Sequence, residues 1–306
     1  MMSFVVLLAA AAVSAEPELA WKETPHSLAL VRGEQALWQF NYKKEDGKPY
    51  FHPVTIAGGD PVTDLRPADH FWHKAVWFSW KTINGVLYWE EDPKTGKSPG
   101  ETEVVDVQAT PRDDHSARFE MSLSYHPPGQ PAVLMEKRIV EVSAPTAAGA
   151  YHIDWLSTFT AGETDVVLDR TPIAGEPNGV SWGGYAGLSL RLVPALRQWQ
   201  FSDSDGPVKE VTKQARWIAF SGPTQDGRSA AIVVLDHPQS FRHPTPWYLI
   251  QGMPYFSPAV LYRSPHTLPA KQSLMLKYRM LFQPAAADRE AIAKQWQAFA
   301  SSAVAP

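Results

Sequence analysis

Two histidines and a lysine fall within a segment that could transfer protons or bind a metal. His70, His73 and Lys74 lie in the sequence DHFWHKAVWFSW, residues 69–80. A His-x-x-His spacing can ligate a metal, or it can supply a general acid and a general base from one loop. In the alternative interpretation, neither histidine has a functional role: one is solvated and the other caps a backbone group. The tryptophans around the pair keep both interpretations open.

The residues that follow predict a β-hairpin that would hold this segment. Residues 76–83 alternate on a period of two, and Asn84 and Gly85 both tolerate positive φ in a two-residue turn. The return strand would place Trp89 and Glu90 on opposite faces. The sequence therefore predicts an irregular, histidine-rich loop on a rigid hairpin, which is where functional sites tend to lie.

Further segments carry polar groups that packing alone does not require. Glycines allow a ligand to approach the backbone, an arginine can pair with a carboxylate or a developing oxyanion, and a carboxylate can fix the tautomer of an imidazole. Neighbouring strand residues point to opposite faces, however, so an Asp-His dipeptide need not act as a pair. The candidates are His52 in KPYFHP, Trp182, Tyr185 and Arg191 in WGGYAGLSLR, Asp236 and His237 in LDHP, and Arg242 and Trp247 in RHPTPW.

The composition restricts the classes of protein to which this chain can belong. Residues 1–15 are apolar and end in Val-Ser-Ala, which predicts a signal peptide and export to the periplasm or the cell exterior. No other stretch is apolar for long enough to span a membrane as a helix. The absence of cysteine excludes disulfides and a thiolate nucleophile. A formal charge of −4 without a basic run argues against nucleic acid as a partner.

The hydrophobic pattern predicts an all-β protein. About 15 short alternating runs, separated by turn signals and without βαβ alternation, favour a large two-sheet antiparallel β-sandwich over residues 16–306, in one domain. Only the C-terminal segment has helical periodicity. It predicts a short helix over residues 288–300 with Asp288 as the N-cap.

Taken together and in order, the segments resemble the PmoA-like family, whose members are often labelled "methane oxygenase PmoA". The resemblance runs from about residue 48 to 282. Three family positions differ here, where a histidine, an arginine and a glycine are replaced by Trp72, Lys74 and Ala75. Losing an imidazole weakens a metal site and leaves acid–base chemistry usable. The matching residues are Asp69, His70, His73, Trp77, Phe78, Asn84, Gly85, Trp89, Gly183, Gly184, Tyr185, Gly187, Leu188, Arg191, Asp236, His237, Pro238, Pro244, Thr245, Pro246 and Trp247.

The resemblance implies a secreted protein of bacteria that digest plant or algal glycans, with a galactose-mutarotase-like supersandwich. A methane oxygenase subunit would need several membrane-spanning helices, which the sequence lacks. Aldose epimerases of the implied fold carry a His-Gly-Phe-x-Arg-x-x-x-Trp loop, to which His70, Lys74 and Trp77 are loosely similar. Fold does not fix function, so this remains an analogy.

The leading hypothesis is a carbohydrate-active lyase, dehydratase or hydrolase. Such an enzyme needs an acid, a base and, for elimination, a cation near the substrate. A hydrolase would use two opposed carboxylates, for which Glu90, Glu91 and Asp236 are available. The predicted catalytic residues are His70, His73, His237, Asp236 and Lys74, and the predicted substrate-binding residues are Arg191, Arg242, Tyr185, Trp77, Trp89, Trp182, Trp247 and His52.

Three alternatives stay open. The first is a non-catalytic glycan-binding module. The second is a mutarotase or epimerase, although its family geometry would place a glutamate late in the chain, where only Glu290 follows Asp236. The third is a metal enzyme. The sequence requires no cofactor, although the side chains of His70, His73 and His237 are of a type that can ligate a divalent metal. The sequence leaves the oligomeric state open.

Overall fold

A computed structural model describes residues 18–208 and 213–303 of the chain. Within these residues the chain forms 21 strands, one α-helix and two short 3₁₀-helices. The helix α1 covers Arg289–Ala300, and the 3₁₀-helices cover Lys44–Asp46 and Pro194–Gln198. The predicted signal peptide, residues 1–15, lies outside the described residues.

The strands in chain order are β1 (Leu19–Thr24), β2 (Ser27–Arg32), β3 (Gln35–Asn41), β4 (Tyr50–Val54), β5 (Val76–Ser79), β6 (Thr82–Ile83), β7 (Val86–Leu87), β8 (Glu101–Pro111), β9 (Ala117–His126), β10 (Leu134–Val142), β11 (Tyr151–Ala161), β12 (Val166–Asp169), β13 (Gly187–Arg191), β14 (Gln200–Asp203), β15 (Gly206–Pro207), β16 (Trp217–Pro223), β17 (Ser229–Asp236), β18 (Trp247–Ile250), β19 (Tyr255–Pro258), β20 (His266–Leu268) and β21 (Ser273–Gln283).

The strands form three antiparallel sheets. The first has eight strands in the order β1-β2-β3-β4-β5-β13-β19-β18, and the second has nine in the order β15-β14-β16-β17-β21-β11-β10-β9-β8. A small third sheet has the order β20-β12-β6-β7. The two large sheets confirm the predicted all-β class and the predicted sandwich, and the third sheet adds an element that the sequence did not predict.

Aromatic side chains from both large sheets meet in the core between them. Phe40 and Phe51 of the first sheet stack with ring centroids 4.4 Å apart. Phe40 also contacts Phe119 of the second sheet at 4.8 Å and Trp155 at 6.3 Å. All four residues are fully buried. Since stacked sheets lie about 10 Å apart, such large rings can fill the space between the layers.

The C-terminal helix packs on the outer face of the nine-stranded sheet. Asp288 caps it as predicted, because its carboxylate accepts a hydrogen bond from the backbone N–H of Ala291 at 2.8 Å. Ile292 and Phe299 are buried against this sheet. Trp296 donates from Nε1 to the backbone oxygen of Asp236 at 2.9 Å, which ties the helix to the end of β17.

The predicted hairpin is present, but its strands are shorter than expected. Asn84 and Gly85 form the turn between β6 and β7 with φ of 50° and 77°. The predicted strand over residues 76–83 is divided, because β5 belongs to the first sheet and β6 to the third. The return strand ends at Leu87. The irregular chain beyond Leu87 therefore no longer alternates between two faces.

Candidate functional site

Cross-strand pairs place a set of site residues on the outer face of the eight-stranded sheet. Tyr50 pairs with Trp77, and Trp77 pairs with Ser189. Arg191, two residues beyond Ser189, pairs with Tyr255. Paired residues share a face and alternate residues return to it, so all five lie on one side, facing away from the core.

This face carries a cleft of about 580 Å³ with a largely aromatic lining. Eight of its eleven lining residues are aromatic or aliphatic, and the polar remainder consists of two histidines and a glutamate. The sequence predicted five of the eleven as site residues, and the structure brings those five together. The lining residues are His70, Trp72, His73, Trp89, Glu90, Trp182, Tyr185, Tyr248, Ile250, Met253 and Tyr255.

A continuous series of ring contacts runs along the cleft. It begins at the exposed indole of Trp182 and ends at Trp72, with the two histidines near the second end. The centroid separations are 6.4 Å for Trp182–Tyr185, 5.3 Å for Tyr185–Trp89, 6.1 Å for Trp89–His73, 4.7 Å for His73–His70 and 5.2 Å for His70–Trp72.

Asp69 lies between His70 and the buried Arg191 and contacts both. Its Nδ1 lies 3.1 Å from Asp69 Oδ2, close enough for an ion pair although the two groups are not aligned as a hydrogen bond. Arg191 donates from Nη2 to both oxygens of Asp69 at 2.8 Å. Burial alone would raise the pKa of Asp69, but the contacts with Arg191 and His70 outweigh it and lower that pKa. Asp69 is therefore held as a carboxylate next to His70.

His73 is buried and electrically neutral. Its ring stacks between His70 at 4.7 Å and Tyr255 at 5.4 Å, and it contacts Trp77 at 5.0 Å. Burial, with further effects of His70 and Arg191, lowers the pKa of His73 to about 2. At physiological pH this imidazole remains uncharged, so it is suited to support His70 rather than to act as the acid.

The other end of the cleft carries a carboxylate. Glu90 accepts hydrogen bonds through Oε1 from Lys81 and from the Tyr185 hydroxyl, the latter at 2.9 Å. Its Oε2 is buried and has no hydrogen-bond partner. Burial and the neighbouring carboxylate raise the pKa of Tyr185, while burial lowers the pKa of Lys81 despite its pairing with Glu90.

The loop that carries Trp182 and Tyr185 is fixed by its backbone. A Cβ at position 183 would lie 2.1 Å from the backbone oxygen of Pro172, so only glycine fits there. The backbone oxygen of Trp182 accepts a hydrogen bond from the Tyr248 hydroxyl at 3.0 Å. The indole of Trp182 is nevertheless 54% exposed. The loop thus presents a flat, solvent-facing ring at the rim of the cleft.

Polar atoms without partners concentrate around this cleft. Among the described residues, half of the buried side-chain nitrogen and oxygen atoms that lack a hydrogen-bond partner belong to residues that line the cleft or lie on the same face behind it. Native proteins leave few such atoms, and each calls for a structural or functional explanation. The residues are His70, Trp72, His73, Trp77, Trp89, Glu90 and Arg191.

Lys74 does not reach the cleft, contrary to the prediction. It is 4% exposed, and its Nζ lies 3.9 Å from Glu91 Oε1. Lys48 lies 3.8 Å from the same oxygen, and Arg66 Nη1 lies 2.8 Å from Oε2. Three cations therefore surround one buried carboxylate, and Lys74 is a member of this ionic cluster rather than a group that contacts substrate.

The Asp236-His237 pair is also structural. His237 is 1% exposed, and its ring packs against Phe299 of α1 at 5.0 Å. Asp236 is fully buried and accepts hydrogen bonds from His243 Nδ1 at 2.7 Å and from the Thr245 backbone at 3.0 Å. Neither residue lines the cleft. Together they hold the loop after β17 and the C-terminal helix, so their predicted catalytic roles are not supported by this geometry.

Two further predicted substrate-binding residues lie away from the cleft. Arg242 donates to the backbone oxygens of Val260, Ser264 and Pro265. Trp247 is fully buried in the main core. Both side chains stabilise the fold where they lie.

Two others lie on the correct face without lining the cleft. Trp77 is fully buried behind His73 and Trp89. His52 bonds through Nδ1 to the Thr63 hydroxyl at 3.0 Å, and burial lowers its pKa. Both can support the site from behind or beside it, but neither contacts the cleft.

The residues that the sequence reasoning missed include Tyr248, Ile250, Met253 and Tyr255. Tyr248 and Ile250 alternate along β18 next to Trp247, which faces the core. The period-two pattern of this strand was visible in the sequence, but it does not say which of its two faces looks toward the cleft. The sequence places Trp72 beside the two histidines and offers Glu90 as a carboxylate, without indicating that both line the cleft.

The three histidines that the metal-enzyme alternative would use do not come together. His70 and His73 are neighbours, whereas His237 lies under α1. Within residues 18–208 and 213–303, no group of three or more His, Asp and Glu side chains is arranged to hold a metal ion. In the same residues, no helix has the length and apolar character needed to cross a membrane.

A family model matches residues 27–297 of the chain, which is most of its length. The chain belongs to the family of unknown function DUF6807. The description of DUF6807 carries neither an activity nor the PmoA label, so the PmoA-like resemblance stays a prediction from the motifs. No curated protein matches this DUF6807 chain.

Among solved structures, the DUF6807 chain is similar to the alpha-galactosidase from Lactobacillus brevis. The identity is 11%, the TM-score is 0.44, and the match covers 89% of this chain and 40% of that one. The chain thus spans less than half of the enzyme that it resembles. At this distance no activity can be carried over.

Proposed function

We propose that this protein is a carbohydrate-active enzyme that hydrolyses the glycosidic bond of an uncharged sugar. The observation that carries the proposal is the cleft itself, in which His70 and Glu90 both belong to a largely aromatic lining. Predicted export, to the periplasm or the cell exterior, belongs to the same proposal.

Trp182 supports a sugar as the ligand. Its exposed indole offers a flat apolar surface with the size of a pyranose face, on a loop whose backbone is held in place. Large aromatic rings bury much area without requiring the ligand to be apolar throughout. Tyr185 continues this surface into the cleft, 6.4 Å from Trp182 between ring centroids.

The charges of the lining favour an uncharged sugar over a uronate. In the described part of the chain, no lysine or arginine lines the cleft. Lys81 pairs with Glu90 and Arg191 pairs with Asp69. A substrate carboxylate would therefore compete with a carboxylate of the protein for either cation, which favours an uncharged sugar.

Two groups can transfer protons in such a reaction. His70, held beside Asp69, would donate a proton to the leaving-group oxygen. Glu90, through its unpartnered Oε2, would accept a proton from the attacking water. The bond between the anomeric carbon and the leaving oxygen breaks, and the water oxygen forms the new bond to that carbon. The leaving oxygen gains one proton from His70, and the water loses one proton to Glu90, so the number of protons is conserved. Elimination needs in addition an acidic proton next to a carbonyl, which an unoxidised neutral glycoside lacks.

The test is a panel of neutral, uronic-acid-containing and 3-keto oligosaccharides, read by mass spectrometry and ultraviolet absorbance. We expect products that have gained water, from neutral glycosides, with loss of about 10²–10⁴-fold in kcat in His70→Gln and in Glu90→Gln. The matched controls are His26→Gln and Glu163→Gln, at exposed positions. An unsaturated, absorbing product would instead establish a lyase. Binding of glycans with no turnover would establish a non-catalytic binding module.

A further inference from the structure

The wall of the cleft near His70 offers a ligand apolar surface and few polar groups. Ile250 pairs with Tyr255 across β18 and β19, and the Tyr255 ring stacks on His73 next to His70. Met253 lies in the turn between these two strands. A sugar ring alone carries several hydroxyl groups, each of which loses hydrogen bonds when it is placed against such a wall.

The three tyrosines that line the cleft do not change this character, because their hydroxyls are committed within the protein. Tyr185 bonds to Glu90 and Lys81. Tyr248 donates to the backbone oxygen of Trp182, and the Tyr255 hydroxyl lies 2.8 Å from that of Ser189. A ligand therefore meets the faces of these rings.

The size of the cleft indicates a ligand larger than one pyranose. Its volume of about 580 Å³ lies in the range of about 300–1,000 Å³ typical of clefts that hold drug-sized molecules. The part of the lining around Trp182 and Glu90 has an exposed ring and a carboxylate that suit a sugar. The rest of the lining, which includes Trp72 and Met253, has surface that suits an apolar group.

We propose that the cleft takes an uncharged glycoside whose aglycone is an aromatic group, seated against Trp72, Ile250, Met253 and Tyr255. This inference rests on the proposed glycosidase function and names its substrate class. Trp72 lies 5.2 Å from His70 between ring centroids, so His70 would protonate the oxygen that joins the aglycone to the sugar. Met253 suits this role, because its flexible thioether adapts to flat rings and makes favourable sulfur–aromatic contacts.

The experiment compares pairs of ligands that differ only in the aglycone. The 4-nitrophenyl and methyl glycosides of glucose, galactose and mannose, in both anomeric forms, are titrated calorimetrically into the full protein. We expect the nitrophenyl member of at least one pair to bind at least tenfold more tightly, which corresponds to about 1.4 kcal/mol. Met253→Ala and Ile250→Ala should each reduce that preference several-fold, by weakening the binding of the nitrophenyl member of the pair.

Met135→Ala is the matched control, since Met135 is 41% exposed and lies on the nine-stranded sheet, away from the cleft. Equal affinity within every pair, or an aryl preference that survives in both wall variants, would overturn the inference, as would the absence of binding by every glycoside. Cleavage is measured separately on the same pairs. Aryl-selective binding without cleavage supports the inference and rejects the glycosidase. Cleavage with equal kcat/KM for both members of each pair retains the glycosidase and rejects the inference.

Discussion

Arg191 holds Asp69 by donating from one nitrogen, Nη2, to both carboxylate oxygens at 2.8 Å. The two residues are far apart in sequence and meet because β13 brings Arg191 next to the loop that precedes β5. Arg191 is 4% exposed, whereas the Asp69 side chain is about half exposed and lies beside His70. A buried arginine thus orients a carboxylate, and the carboxylate orients the histidine at the cleft.

Removing the charge of Asp69 should impair catalysis more than binding. We expect Asp69→Asn to lower kcat by about 10–100-fold, a part of the full contribution of general acid–base catalysis, and to change KM little. Asp64→Asn is the matched control, because Asp64 lies 3.9 Å from Arg191 Nε without contacting His70. Steady-state kinetics on the best substrate of the panel measure both constants. Equal kcat for Asp69→Asn and Asp64→Asn would rule out this positioning role.

Trp182 should contribute more to substrate affinity than to stability. The residue is 54% exposed, so Trp182→Ala removes less buried area than truncation of a core tryptophan would. We expect Kd for the sugar to rise by about tenfold, the equivalent of about 1.4 kcal/mol, and the melting temperature to fall by only a few degrees. Trp182→Phe should restore part of the affinity, since it keeps a flat ring. Unchanged binding in Trp182→Ala would remove this residue from the site.

His237 should behave in the opposite way. Its ring is 1% exposed and packs on Phe299, so His237→Ala leaves a cavity under α1. We expect the free energy of unfolding to fall by about 2–3 kcal/mol, while kcat of the folded protein remains near that of the wild type. Chemical denaturation and kinetics well below the melting temperature separate the two effects. A loss of kcat as large as that of His70→Gln at wild-type stability would return His237 to the catalytic residues.

Lys48 should make stability rise with pH in the alkaline range. Burial lowers its pKa to about 7, despite the opposing effect of Glu91, while the unfolded chain has a lysine pKa of about 10.4. Between these values the unfolded state binds more protons than the folded state. The free energy of unfolding therefore increases with pH, by up to about 1.4 kcal/mol per pH unit from this group. Lys74 and Lys81, whose pKa values are also lowered, act in the same direction.

Chemical denaturation at several pH values between about 7 and 10 measures this slope. In Lys48→Met, the free energy of unfolding should increase less steeply with pH, because the contribution of one buried lysine is removed. Lys271→Met is the control, because that side chain is 68% exposed in its ion pair with Glu163. A slope that is the same in Lys48→Met and in the wild type would show that Lys48 keeps an ordinary pKa in the folded protein.

Local sequence signals predicted much of the fold. Asn84 and Gly85 specify their turn because both adopt positive φ, and Asp288 specifies the start of α1 because its carboxylate satisfies a free backbone N–H. Alternating apolar residues likewise predicted a chain built from many strands. These features depend on neighbours in the chain, and so the sequence carries them directly.

The short strands were less predictable. The run from Val76 to Ile83 alternates throughout, but the chain leaves the first sheet after Ser79 and enters the third at Thr82. Trp80 and Lys81 lie at this crossing, and nothing in a period-two pattern marks it. The return strand ends at Leu87, so the period-two pattern does not separate Trp89 from Glu90, and both line the cleft.

By itself, the sequence determined that the protein is all-β, where its main turns lie, and that His70, His73, Trp89, Trp182 and Tyr185 are candidate site residues. Only the tertiary structure decided which candidates meet. The sequence alone does not distinguish His70 from His237, but the strand order places His70 at the cleft and His237 under α1. Likewise Tyr248, not Trp247, faces the cleft. The physical reason is that a strand pattern defines two faces, and only the pairing of distant strands decides what each face meets.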